Sequence, residues 1–197
     1  TGQRISHVVV MGTGEPFDNY ENLAKFLHII HDPNGLNLSM RNITVSTCGL
    51  VPMIARFAED FPQVNLAISL HAVSNEMRDE IMPVNKAYPM ETLLSACRDY
   101  TQKTARRVTF EYTLVKGVND SAEYARKLAA RLQGMLCHVN LIPLNKVEET
   151  GYDTSERCAV LRFQQVLTEC GIPATIRREL GDDIDAACGQ LRLAENG

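Results

Sequence analysis

No stretch of the 197 residues approaches about 18 consecutive apolar side chains, so the sequence encodes no membrane-spanning helix. No basic start leads into an apolar run, so nothing reads as a signal peptide. An excess of basic charge is also missing: 20 Lys and Arg stand against 24 Asp and Glu, for a net charge of −4. An RNA-binding domain recognised by bulk charge would be basic, so any nucleic-acid contact must be local or supplied by other sequence. Cys-x-x-Cys and other close ligand pairs are absent, which argues against zinc. There is no internal repeat, no low-complexity tract and no clear linker. The chain opens at Thr1 without an initiator Met and runs almost at once into an apolar strand, which predicts a fragment of a longer protein.

What is present is ordinary globular composition. At 22.0 kDa, with 45 % hydrophobic and 22 % charged residues, the chain is sized for one domain, residues 1–197. Its six cysteines, at 48, 97, 137, 158, 170 and 188, are widely spaced. A domain of this size needs no disulfides to hold a core, so they read as reduced thiols in a cytoplasmic protein. Cys97, Cys137, Cys158 and Cys170 fall inside predicted helices or strands and read as core, whereas Cys48 lies on a loop.

Strand and helix patterns alternate throughout. Runs rich in β-branched residues predict strands at 5–11, 41–47, 64–70, 107–115, 137–142 and 174–178. Apolar residues at helical spacing predict helices at 21–31, 52–60, 74–81, 90–102, 120–133 and 155–170. Ser74, and Asp120 or Ser121, stand where N-caps belong, and Gly134 and Gly171 where helices stop. Regular βα alternation predicts a parallel α/β sheet with right-handed crossovers, either doubly wound or part of a βα barrel. A barrel segment is favoured, because functional-looking residues follow several successive strands rather than one switch point.

Those residues are few. After the first strand, Gly12 and Gly14 allow close backbone approach, and Glu15 could accept hydrogen bonds from an ammonium group; a tight turn with a solvated Glu is the alternative. After the second, the Ser46 and Thr47 hydroxyls could bind a ribose or carboxylate, or cap the next helix. After the third, Ser69 and His71 suit polar ligand contacts, or His71 is a structural hydrogen-bonder. After the fifth, Asn145 carries a donor and an acceptor that could read an adenine edge, or is a turn residue after Pro143. Cys188 has small neighbours that leave its sulfur accessible, but nearby acids would raise its pKa, the mark of an ordinary Cys. His28 and His31 sit three apart on a helix with no further ligand to complete a metal site.

Taken together, GTGEP (12–16), VSTCGLVP (45–52), LAISLHA (66–72), RDEIMPVNK (78–86), RVTFEYTLVKGVND (107–120), NLIPLN (140–145) and DIDAACGQL (183–191) resemble the RlmN/Cfr family of radical-SAM RNA methyltransferases. The likeness runs from Ile5 to about Leu191 and is greatest to the RlmN branch. It implies a partial (β/α) radical-SAM barrel, a parallel sheet with outer helices that lacks the barrel's first strand. It implies methylation of C2 of an adenosine in 23S rRNA, and in some bacteria in tRNA; the C8-methylating Cfr branch and a non-catalytic SAM- or RNA-binding module are the alternatives. The implied chemistry passes the methyl group of one S-adenosylmethionine (SAM) through a Cys that maps to Cys188, while a second SAM is cleaved at a 4Fe-4S cluster fed by an electron donor such as flavodoxin. Implied SAM contacts map to Gly14, Glu15, Ser46, Ser69, Leu70, His71 and Asn145. The family's Cys-x3-Cys-x2-Cys cluster motif does not occur here, so no metal ligand is assigned and the chain alone is expected to be inactive. Arg41, Arg177 and Arg178 are expected as modest local contributors to RNA binding.

Overall fold

A computed structural model describes residues 4–12, 14–144 and 153–177. Six strands follow one another in the sheet in sequence order: β1 (Val8–Val10), β2 (Ile43–Thr47), β3 (Asn65–Ser69), β4 (Val108–Leu114), β5 (Cys137–Pro143) and β6 (Ala174–Ile176). Every pairing is parallel. The connections carry helices α1 (Tyr20–His31), α2 (Val51–Asp60), α3 (Asn75–Ile81) with α4 (Met90–Thr104), α5 (Ala122–Leu132) and α6 (Arg157–Glu169).

Sequential order decides between the two expected architectures. A doubly wound sheet reverses its strand order at a switch point, and this one does not. Right-handed crossovers between successive neighbours put all the helices on one face, which is an open section of a βα barrel. The strands obey that geometry residue by residue. In β2, Ile43, Val45 and Thr47 are buried while Thr44 and Ser46 are only half-buried. The buried set meets the helical layer, where Leu23, Leu27, Ile54, Phe57, Leu93, Leu128 and Phe163 complete one continuous core. The half-buried set looks into the concavity. The central strands depart from this alternation: Leu66, Ala67 and Ile68 on β3 are all fully buried, and Phe110, Glu111 and Tyr112 on β4 are all buried.

Element ends follow local chemistry. Ser74 Oγ accepts from Met77 N at the start of α3, and Ser121 Oγ from Tyr124 N at the start of α5. Asp120, the other candidate cap, instead accepts from Gly117 N in the preceding turn. Gly134 and Gly171 take positive φ after α5 and α6. Three expectations need correcting. β1 spans Val8–Val10 rather than 5–11, because only these residues find partners, Ile43–Val45 on β2. α4 continues past 102 to Thr104 and stops on Ala105 at φ +53, a left-handed residue that is not glycine. Cys158 is exposed rather than core, because it shares the outer face of α6 with Leu161 and Arg162.

Candidate active site

The strand ends open into a cleft of about 790 Å³ lined by residues of β1 to β5 and by Arg177 just after β6. Gly14, Glu15, Ser46, Ser69 and His71, expected at the rim from sequence, all line it. Gly14 sits at φ +96, a conformation that L side chains rarely adopt, so the turn after β1 requires glycine.

Glu15 is fixed from two directions. Its Oε1 accepts from Phe17 N at 2.9 Å, capping the turn Pro16–Asn19. Its Oε2 accepts from Cys48 N at 2.6 Å, across from the tip of β2. A carboxylate has about four acceptor sites, so this side chain is held in place and still keeps lone pairs for a cation in the cleft. Ser46 and Thr47 both border the cleft, but Thr47 is buried and its Oγ1 accepts from Gly49 N at 3.1 Å. Among the described residues no hydrogen bond engages Ser46 Oγ, whereas Thr47 Oγ1 belongs to the turn.

At the tip of β3 the backbone takes an unusual course. His71 stands at φ +56, a left-handed value uncommon outside glycine. Leu70 N and His71 N both donate to Glu111 O, at 3.1 and 3.2 Å. The His71 ring then accepts at Nδ1 from Thr113 N at 3.1 Å, which places its proton on Nε2. Burial first, and the Arg78 charge second, lower its pKa to about 4, so it is a neutral donor at ordinary pH. Leu70 does not line the cleft; its side chain is fully buried in the core.

The floor holds residues that sequence reasoning passed over. Glu111 on β4 is only 5 % exposed and accepts from Asn140 Nδ2 at 2.9 Å. Burial raises its pKa, against the Asn140 hydrogen bond and the Arg177 charge. Thr175 Oγ1 lies 2.8 Å from His138 Nε2, extending a polar ladder across β5 and β6. The signal was there in period two: Thr109, Glu111 and Thr113 alternate with apolar residues along β4. Arg177 follows β6 and lines the cleft, while Arg41 precedes β2 at the opposite end of the strands. Asn145, Arg178 and Cys188 lie outside the described residues.

The arrangement fits SAM: a fixed carboxylate for its ammonium, and hydroxyls and a neutral imidazole for its polar ends. It does not fit an iron–sulfur cluster. Among the described residues no three His, Cys, Asp or Glu converge to hold a metal. Burial pushes Cys97 and Cys137 up to about 12 and about 11, and burial with the neighbouring Glu15 pushes Cys48 up to about 12. These thiols are protonated as they stand, and they sit on three separate elements: the turn after β2, α4 and β5. His28 packs its ring on Phe61 and the His31 ring meets Leu38 O, so both are structural.

An open parallel barrel section with polar strand tips around one cleft defines a βα-barrel ligand-binding domain. Residues 2–129 match the radical SAM superfamily, and the chain belongs to it. Members of that superfamily use SAM with a 4Fe-4S cluster. The chain is 54 % identical over 189 residues to the probable dual-specificity RNA methyltransferase RlmN of Thermoanaerobacter sp. (strain X514), covering 96 % of this chain and 55 % of that protein. It is 55 % identical over 195 residues to the protein of the same name from Geobacillus kaustophilus (strain HTA426), covering 99 % and 53 %. The chain thus spans about half the length of the curated relatives it matches. A radical SAM methyltransferase from Sphaerobacter thermophilus superposes with TM-score 0.92 at 50 % identity, over 96 % of this chain and 55 % of that one. A domain of pyruvate-formate lyase-activating enzyme from Bacteroides vulgatus shares the fold at TM-score 0.68 and 20 % identity, over 88 % of this chain and all of that domain.

Proposed function

We propose that this chain is the SAM-binding, methyl-cysteine-bearing portion of a radical-SAM enzyme that methylates C2 of an adenosine in 23S rRNA, and in tRNA. The observation that carries the reading is the convergence of Glu15, Ser46, Ser69 and His71 on one cleft at the strand tips. The names of the relatives supply the RNA substrate. SAM bound there supplies a methyl group. Glu15 orients its ammonium, Ser46 and Ser69 present hydroxyls, and His71 donates from Nε2. Gly14 and Asn145 complete the proposed contact set, from which the buried Leu70 drops out, and Cys188 carries the methyl group between SAM and the adenine ring.

Because residues 1–197 include no Cys-x3-Cys-x2-Cys motif, and no three candidate ligands converge among the described residues, the chain alone is proposed not to assemble a cluster and not to methylate RNA. A four-iron cluster reconstituted on these 197 residues would sink that part of the proposal. The experiment for the whole reading is mass spectrometry of protein from its native host. Trypsin releases Glu179 to Arg192 with Cys188 as its sole cysteine. One added methyl group on Cys188 is expected; an unmodified Cys188 in a host with normal SAM removes the methyl-carrier role and favours a binding module.

A further inference from the structure

Arg78, in the segment RDEIMPVNK, is the largest fully buried side chain among the described residues. It does not line the cleft, and none of the observed salt bridges includes it. Its guanidinium is spent on backbone carbonyls. Nη2 donates to Cys48 O at 2.7 Å and to Ser69 O at 3.1 Å, and Nε donates to Leu70 O at 3.3 Å. Nη1 donates to Asn85 Oδ1 at 3.2 Å. The β2–β3 ladder ends at the Thr47 and Ile68 rung. Arg78 takes over at the next residues out, where parallel strands no longer bond each other.

The linkage reaches the cleft in one step on each side. Cys48, whose carbonyl Arg78 holds, gives its N–H to Glu15. Ser69 lines the cleft, and Leu70 leads into the left-handed turn at His71. Arg78 is itself anchored. Ser74 caps its helix, and Asn85 Nδ2 ties to Asp79 Oδ1 at 2.8 Å and to Asn75 Oδ1 at 3.2 Å.

Stability does not account for this choice of residue. Burying a cation against neutral acceptors carries a desolvation cost, and apolar replacements of buried ionic groups are often neutral or stabilising. What an apolar residue cannot do is hold carbonyls from two strands in a fixed fork. We propose that Arg78 is the positioning residue of the cofactor site, setting the tips of β2 and β3 so that Glu15, Ser69 and His71 meet one SAM molecule. This rests on the SAM-binding reading above.

The test is calorimetric titration of chain 1–197 with S-adenosylhomocysteine, alongside thermal melts and amide hydrogen exchange. The wild type binds; its failure to do so overturns the SAM reading and this proposal together. Arg78→Met is expected to melt cooperatively, bind at least tenfold more weakly and exchange its Cys48 amide faster. Arg78→Lys, which can reach one strand tip but not both, falls between. Leu128→Ala, far from the cleft, lowers Tm but keeps wild-type affinity. If Arg78→Met does not fold, Asn85→Ala frees Nη1 and also removes the ties to Asn75 and Asp79, leaving the three carbonyl contacts of Arg78 in place, and is expected to weaken binding at least threefold. Wild-type affinity in a folded Arg78→Met, or in Asn85→Ala where Arg78→Met is unfolded, overturns the positioning role and leaves the SAM reading standing. Equal weakening in Leu128→Ala overturns it too.

Discussion

Glu15 and Cys48, 33 residues apart in sequence, are joined by a 2.6 Å hydrogen bond from the Cys48 amide to Glu15 Oε2. The bond crosses from the turn after β1 to the tip of β2, so the carboxylate that faces the cleft is positioned by a strand it does not belong to. Hydrogen bonds to an ionised acceptor contribute roughly 1.5–3 kcal/mol, enough to hold one rotamer against solvent. Glu15→Gln keeps an oxygen for one amide but removes the charge. It is expected to weaken S-adenosylhomocysteine binding at least tenfold, read by titration, with the circular dichroism spectrum unchanged. Undiminished affinity would show that no ammonium docks on Glu15.

His71 gives the protein a pH dependence with a definite sign. Its folded pKa of about 4 lies below the ordinary 6.5 because burial and the Arg78 charge disfavour the imidazolium. The unfolded chain therefore binds a proton that the folded chain refuses. Stability is fully present above pH 6.5 and is lost as pH falls toward 4, by about 3 kcal/mol in all. Glu111, with its raised pKa, works in the opposite direction. The quantity to measure is thus the difference between wild type and His71→Asn in urea unfolding at several pH values. Asparagine tolerates left-handed φ, and the variant is expected to show the flatter acid limb. Parallel curves from pH 7 to pH 4 would contradict the buried neutral imidazole.

Two glycines near the cleft are predicted to differ in their response to alanine. Gly49 lies at φ +107, and a Cβ there would stand 2.9 Å from Leu93 Cδ1. Gly14 lies at φ +96 with nothing within 4 Å of its missing Cβ. Both variants suffer backbone strain of about 1–3 kcal/mol, and only Gly49→Ala adds a clash with the core. Denaturant midpoints are expected to fall further for Gly49→Ala than for Gly14→Ala. The reverse order would mean that the Leu93 contact yields at no cost.

Ala105 ends α4 at φ +53 and is exposed. A left-handed non-glycine residue costs roughly 1–2 kcal/mol, and glycine at a helix C-terminus removes that cost. Ala105→Gly is expected to raise stability by about 1 kcal/mol and to leave S-adenosylhomocysteine affinity untouched. A thermal melt checks the first and titration the second.

Much of this architecture is written in local signals. The β-branched runs, the Ser74 and Ser121 caps and the Gly134 stop each act within a few residues, so a sequence displays them directly. The rim residues were legible because Ser46 and Ser69 stand at the ends of strands and Glu15 and His71 just beyond them, and strand ends are where barrels place their chemistry. Arg78 was not legible in the same way. A charged residue on a short helix ordinarily faces water, and only the three-dimensional meeting of the β2 and β3 tips gives it carbonyls to bind. Glu111 was hidden for a related reason: alternation along β4 shows that it shares a face with Thr109 and Thr113, but not which face is the cleft. Ala105 carries no sequence mark of its left-handed turn, and Cys158 needed the helix phase rather than helix membership to place it.

The strand order has a consequence for how the molecule is made. Among the described residues, strands pair only with their immediate neighbours in the chain, so no strand waits for a distant partner. During synthesis each new βα unit can settle on the edge left by the one before, closing only a short loop at each addition. The sheet can therefore grow in the direction of translation, and both anchors of Glu15, Phe17 and Cys48, lie in its earliest part.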